Sequence, residues 1–126
     1  MLGEEALPVV EIIANRDDFY SYQAKYAAGG STHVVPAKIS EDLTARIQML
    51  ALSTHRLLGL RDYSRTDFIV SKEGRPYILE INTLPGLTPT SLLPDACNSA
   101  GISYEALIER LVGYALGRGG ERVLAK

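Results

Sequence analysis

Apolar and polar residues alternate most regularly in the middle of the chain. Arg65–Val70 and Pro76–Asn82 each show the two-residue period of a half-buried strand, and the Lys-Glu-Gly-Arg segment at 72–75 has the composition of a turn. If Ser71 faces Pro76 across this four-residue loop, the two segments pair as antiparallel strands. The pattern therefore predicts a β-hairpin.

The register of this hairpin gathers polar side chains on one face, because directly opposed residues share a side of the sheet. Counting outward from the turn places Asp67 opposite Glu80 and Arg65 opposite Asn82. The same count adds Ile69 and Ile78 to the polar face and leaves Phe68, Val70, Tyr77, Leu79 and Ile81 on an apolar face. The polar face has the composition of a functional site.

Three segments outside the hairpin have apolar residues at helical spacing. Their boundary residues are Ser40 and Gly59 for the first, Ser91 and Gly101 for the second, and Ser103 for the third, which runs to Leu116. In the first helix the apolar positions expected to pack on the core are Leu43, Ile47, Leu50, Ala51, Thr54 and Leu58.

The remaining segments complete an α+β domain. Leu7–Ala14 reads as a strand, Asp17–Gly30 as an irregular functional loop and His33–Ala37 as a short extended piece. We expect one domain over residues 1–116, an antiparallel sheet with helices packed on one face, and a frayed tail over 117–126.

Composition excludes several classes of function. The net charge of −2 and the dispersed basic residues argue against a nucleic-acid partner. No apolar run approaches the ~18 residues that span a bilayer, and Met1–Leu7 carries two acids where a signal peptide has basic residues, so we expect a cytoplasmic protein with no membrane partner. The single Cys97 is expected to be a buried small hydrophobe, with a reactive thiol as the alternative.

The polar face of the hairpin suits a divalent metal. Carboxylates at directly opposed positions have Cβ atoms roughly 5 Å apart and repel unless a cation lies between them. Asp67, Glu80 and the Asn82 amide are hard oxygen ligands of the kind that Mg²⁺ takes. Arg65 either holds the acids in an ion pair or neutralises a transferring phosphoryl group. A solvated, salt-bridged face without metal is the alternative.

The same residues carry a family resemblance. Arg65–Val70, Tyr77–Thr88 and Ser91–Leu92 closely resemble the C-terminal region of the D-alanine–D-alanine ligases, which are ATP-grasp enzymes. Tyr22–Tyr26 is similar to their substrate-covering loop, and Ala100–Tyr104 continues like their final helix. The resemblance covers Leu2 to about Leu116.

The resemblance implies ATP and Mg²⁺ as cofactors, with two metal sites and Mn²⁺ as an alternative ion. Asp67 and Glu80 would bind one ion, Glu80 and Asn82 the other, and Arg65 would contact the transition-state oxygens. The implied reaction joins two D-alanine molecules through an acyl phosphate, to give the dipeptide used in peptidoglycan and the cell wall.

The resemblance also assigns residues around the substrate. Gly86 would supply an oxyanion-hole N–H, with a plain turn glycine as the alternative. Ser91 and Leu92 would hold the second D-alanine carboxylate, and Ser91 also suits a simple N-cap. Lys25 and Tyr26 would reach phosphate and close over the site, and Tyr26 marks D-alanine as the second substrate.

Three ionisable residues have ordinary interpretations. His33 and His55 are expected to be structural or surface histidines, since neither has a second His or Cys at ligand spacing. Glu11 either lines the nucleotide pocket or points outward from its strand.

The family's N-terminal and central domains have no counterpart in this sequence. We therefore expect a fragment, a truncated product or half of an assembly, which alone binds nucleotide weakly and forms no dipeptide. The alternatives are a non-catalytic module that self-associates through its exposed sheet edge and apolar surface, and an ATP-grasp ligase with a different acceptor.

Overall fold

The structure, a computed structural model, describes residues 1–14 and 31–118. Its strands and helices, in chain order, are β1 (Glu11–Ala14), β2 (Ser31–Val34), α1 (Glu41–Leu57), β3 (Arg65–Val70), β4 (Pro76–Asn82), α2 (Leu92–Ser99) and α3 (Tyr104–Gly117). The α+β class is confirmed. In the described residues the strands form two antiparallel ladders, β1 with β2 and β3 with β4.

The three predicted helices are confirmed, and local capping explains where α1 and α3 begin. The Ser40 hydroxyl accepts a hydrogen bond from Leu43 N at 3.3 Å, and the Ser103 hydroxyl accepts one from Ala106 N at 3.2 Å. Each bond satisfies one backbone N–H that the first helical turn leaves unpaired. These signals depend on short stretches of sequence, so they can be found without tertiary information.

The first strand is shorter than predicted, because its ladder begins at Glu11 and not at Leu7. Pro8 has no N–H to contribute to a ladder. The carbonyls of this stretch bond elsewhere instead: Val9 O accepts from Ala37 N at 2.8 Å, and Leu7 O accepts from the Gln48 side chain at 3.0 Å. The expected extended piece at 33–37 is likewise a ladder only as far as Val34.

The core lies between α2, α3 and the N-terminal segment. Its buried members are Leu2, Leu7, Leu93, Ala96, Cys97, Ile102 and Leu107. Cys97 is fully buried, as predicted, and burial raises the pKa of its thiol. A neutral thiol packed in this way serves as a small apolar side chain.

The first helix contributes less to the core than its spacing predicts. Ile47 and His55 are its buried residues, whereas Leu58 is 57% exposed. Leu58 follows the last helical residue and forms the C-cap, so the helical spacing no longer decides where its side chain points. The expectation that Leu58 packs on the core was wrong.

Candidate functional site

The predicted register of the hairpin is confirmed where it carries the polar residues. Arg65 pairs with Asn82, and Asp67 pairs with Glu80. Since opposed residues share a face, these four side chains lie on one side of the β3–β4 ladder. The arrangement needs both strands, which places the polar cluster on a rigid element.

Beyond Asp67 the register shifts by one residue, so the predicted face assignment fails there. Phe68 pairs with Ile78, Ile69 pairs with Tyr77, and Leu79 has no partner. Tyr77 therefore shares the face of Ile69, and Ile78 shares that of Phe68, the reverse of the expectation.

The turn explains this shift. Ser71 N donates to Arg75 O at 2.9 Å, so the loop contains three residues, not four, and Ser71 faces Arg75 instead of Pro76. Gly74, with φ +78°, supplies the left-handed conformation that such a loop requires. Leu79 is the extra residue of a β-bulge, and it restores the pairing of Asp67 with Glu80.

Arg65 and Asp67 form a bidentate ion pair. Arg65 Nε donates to Asp67 Oδ1 at 2.7 Å, and Nη2 donates to Oδ2 at 3.0 Å. Glu80 Oε1 lies 4.0 Å from the same Nη2, and the Glu80 side chain is 57% exposed. The guanidinium thus lies beside both carboxylates and reduces their mutual repulsion.

The donor set fits Mg²⁺. Mg²⁺ usually takes one or two carboxylates and completes its shell with water and phosphate oxygens, and the pair Asp67 and Glu80 with the Asn82 amide oxygen meets that need. Asn82 Oδ1 accepts from Leu84 N at 3.0 Å, which orients the amide and leaves it a second lone pair. No cluster of three or more His, Cys, Asp or Glu side chains at ligand spacing occurs within 1–14 and 31–118.

The loop after β4 brings Gly86 against the start of α2. A Cβ at position 86 would lie 2.9 Å from the Ser91 hydroxyl. Ser91 occupies the N-cap position, but its hydroxyl makes no cap bond and instead contacts Thr88, 2.6 Å from Oγ1 and 3.2 Å from N. Leu92 is the first residue of α2, so its N–H belongs to the free helix terminus.

The remaining residues singled out from the sequence do not belong to the polar face of the hairpin or to the loop after β4. Lys25 and Tyr26 lie outside the described residues. Glu11 accepts a hydrogen bond from Lys38 N at 3.2 Å through Oε2, which is a structural contact. His55 is structural, as expected, because it is buried against Ser64, and His33 contacts Asp95.

Sequence reasoning missed the partners that hold these residues. His55 Nδ1 lies 2.7 Å from Ser64 Oγ, directly before the first strand of the hairpin. Burial lowers the pKa of His55, so the imidazole is favoured in its neutral form. The Thr88 contact with Ser91 has a local signal, since the two residues are three positions apart in a Pro- and Gly-rich loop. The contacts of His55 and His33 have no such local signal in the sequence.

Comparison with known proteins identifies the family of this α+β domain. The profile of the family described as D-ala D-ala ligase C-terminus matches residues 1–113. The chain belongs to this family.

The similar proteins are D-alanine–D-alanine ligases. The chain is 53% identical over 116 residues to the ligase of Halalkalibacterium halodurans and 50% identical over 119 residues to that of Pelotomaculum thermopropionicum. These matches cover 90% and 92% of this chain but only 38% and 37% of the relatives. The crystal structure of the Bacillus anthracis ligase complexed with ATP superposes with a TM-score of 0.76 at 32% identity, over 93% of this chain and 38% of that one.

The helices of residues 1–14 and 31–118 include none with both the length and the apolar character that crossing a bilayer requires.

Proposed function

We propose that this chain is the C-terminal part of an ATP-dependent D-alanine–D-alanine ligase that works in the cytoplasm and supplies the dipeptide for peptidoglycan. The main observation in support of this proposal is a polar cluster on one face of the hairpin, in a chain of this family. The cluster consists of Arg65, Asp67, Glu80 and Asn82. A carboxylate and a triphosphate must meet at such a site, and both are anions. Cationic groups that neutralise them favour the reaction.

In the proposed reaction, a carboxylate oxygen of the first D-alanine attacks the γ-phosphorus of ATP, and the bond to the β-phosphate oxygen breaks to release ADP. The amine of the second D-alanine then attacks the acyl carbon, and inorganic phosphate and a proton leave. Arg65 would contact the phosphoryl oxygens, because its guanidinium lies beside the acids that would bind metal.

Asp67, Glu80 and Asn82 would hold Mg²⁺, or Mn²⁺ in its place. When bound, the metal would neutralise phosphate charge and orient the triphosphate. Asp67 already shares its oxygens with Arg65, so the arginine would hold this carboxylate on the polar face. Glu80 is the more exposed acid and is the more accessible ligand.

Gly86, Ser91 and Leu92 would form the acceptor end of the site. The absence of a Cβ at Gly86 permits close approach to its backbone N–H, which suits an oxyanion hole. The Leu92 N–H at the α2 terminus and the Ser91 hydroxyl would bind the second D-alanine carboxylate. Lys25 and Tyr26 are proposed to contact phosphate and substrate.

The test fuses this chain to the preceding segment of the Halalkalibacterium halodurans ligase and measures ATP-dependent dipeptide formation. We expect activity from the fusion and none from the chain alone. Glu80→Gln should lower kcat on the order of 100-fold, the scale of losing one charge-stabilising group. Glu73→Gln, at the exposed turn of the same hairpin, should stay within about twofold.

An inactive fusion that is folded by circular dichroism would contradict the proposal. So would equal losses in the Glu80 and Glu73 variants, because the polar face would then have no special role.

A second candidate is a non-catalytic module that self-associates. The observation in its favour is the exposed apolar surface of the hairpin, where Ile69 is 56% exposed and Leu79 is 60% exposed. In the first candidate the rest of the ligase would cover this surface, whereas in the second another copy of the chain would cover it.

A further inference from the structure

A hydrogen bond between His33 and Asp95 joins β2 to α2. His33 Nδ1 lies 3.0 Å from Asp95 Oδ2, and the side chains are 27% and 32% exposed. A carboxylate only accepts, so the imidazole Nδ1–H donates. Within the part of the chain that the structure describes, this is the single side-chain hydrogen bond between β2 and α2.

Asp95 lies about one helical turn further along α2 than the proposed acceptor end of the site. It is in the first turn of α2, and its N–H donates to Ser91 O at 3.1 Å. Residues four apart on a helix share a face and differ by about one turn, a rise of about 5.4 Å. The Asp95 carboxylate is therefore close to any anion bound at Ser91 and Leu92.

This position creates an electrostatic conflict. The free N–H groups at the start of α2 favour a bound carboxylate, whereas the negative charge of Asp95 opposes one. The hydrogen bond from His33 holds the Asp95 carboxylate toward β2 and offsets part of its charge.

We infer that His33 is a positioning residue for the acceptor site. It acts through Asp95, fixing that carboxylate so that the start of α2 remains suited to the carboxylate of the second D-alanine. The inference rests on the proposed function and adds to it a determinant of acceptor affinity.

The first experiment measures the KM for the acceptor D-alanine in the fusion described above. His33→Leu should raise this KM roughly three- to tenfold, because the freed charge lies about one helical turn from the bound carboxylate, and should leave kcat nearly unchanged. Adding Asp95→Leu should return the KM to the value of Asp95→Leu alone, since the repelling charge is gone. A merely structural role would make the double variant worse.

Two further measurements separate charge from packing. The pair lines an open cavity with Val35, Asn98 and Ser99, so salt ions reach it, and raising the salt concentration should shrink the KM effect of His33→Leu. His33→Asn places an amide donor near the position of Nδ1 and should restore the KM.

The matched control is Glu4→Gln, which breaks the ion pair between Glu4 and Arg56 of α1 and leaves α2 untouched. It should not change the acceptor KM. An unchanged KM in His33→Leu, or a double variant that keeps the raised KM, would overturn the inference.

An inactive wild-type fusion would contradict the proposed function, and the inference is then decided on the 126-residue chain itself. D-Alanine is titrated while the Leu92 amide is followed by NMR. We expect a Leu92 response that weakens in His33→Leu and recovers when Asp95→Leu is added. No response in the wild type, or the same response in all variants, would overturn it.

Discussion

Gly86 shows how a single missing Cβ positions the loop after β4. The Ser91 hydroxyl that a Cβ would meet at 2.9 Å is held by its two contacts with Thr88. A side chain at position 86 would have to displace that hydroxyl and break those contacts. The close approach therefore requires glycine here.

Gly86→Ala should destabilise the fold by about 1 kcal/mol, the usual contribution of a hydrogen bond that is lost. The effect should not add to that of Ser91→Ala, because both variants remove the same contacts. Denaturant unfolding of the single and double variants measures this.

Gly113→Ala is the control for this substitution. Its Cβ would meet nothing within 4 Å, and the residue lies inside α3, so alanine should stabilise by roughly 0.5–1 kcal/mol. Fully additive effects of Gly86→Ala and Ser91→Ala would contradict the proposed contact.

At the residue scale, the sequence predicts which side chains share the polar face of the hairpin but not what holds them. Asp67, Glu80 and Asn82 follow from strand alternation, since the period of two is a local property. The burial of His55 cannot be predicted in this way, because a lone histidine in a helix has the same sequence pattern whether it faces the core or the solvent. Its partner Ser64 lies beyond the end of that helix.

At the scale of elements, the contact of His55 with Ser64 joins α1 to the start of β3. Ser64 is fully buried and directly precedes Arg65, so the contact fixes the strand that carries the arginine and Asp67. A buried imidazole that gains a proton becomes a cation without the hydration that it would have in water, and this costs free energy. The junction should therefore weaken in acid.

The sign follows from the lowered pKa of His55, whose ordinary value is 6.5. As the pH falls below that value, the unfolded chain binds a proton that the folded chain does not, so the free energy of unfolding decreases. The loss ends at the folded pKa, and above about pH 6.5 the contribution is constant.

Subtracting the free energy of unfolding of His55→Asn removes the contributions of the other titrating groups. The difference should be flat above about pH 6.5 and fall below it by up to ~1.4 kcal/mol per pH unit. Asparagine is chosen because it can still bond to Ser64 and does not titrate. A difference that is flat down to pH 4 would show that His55 titrates alike in both states.

The β3–β4 hairpin shows where sequence reasoning about elements stops. Its existence was predictable from alternation, whereas the three-residue turn and the bulge at Leu79 were not, and the predicted register holds at the polar residues because these two departures cancel. A leucine in a strand gives no sign that it lacks a partner, and the three-residue turn and the bulge compensate each other at Glu80. Helix caps are set within four residues, whereas a bulge depends on both strands.

At the scale of the whole molecule, the described residues leave much apolar surface in water. On the hairpin, Ile69, Tyr77, Ile78 and Leu79 are each more than 40% exposed. The chain spans about 38% of the curated relatives that it matches, and a surface of this kind is typical of an interface. The fold class was predictable, but no local pattern shows what covers the exposed apolar residues of a strand.

The chain alone should self-associate through these exposed hairpin residues, and the fusion should not, because its added segment would cover them. Ile69→Thr with Leu79→Thr keeps good strand residues while removing apolar area, and should raise the dissociation constant at least about tenfold. The control Met49→Gln with Leu57→Gln removes exposed apolar area from α1 and should leave association unchanged. Sedimentation equilibrium measures the association of the chain alone, the fusion and the two double variants. Association of the fusion as strong as that of the chain alone would favour the self-associating module, because the hairpin would then remain uncovered beside the added segment.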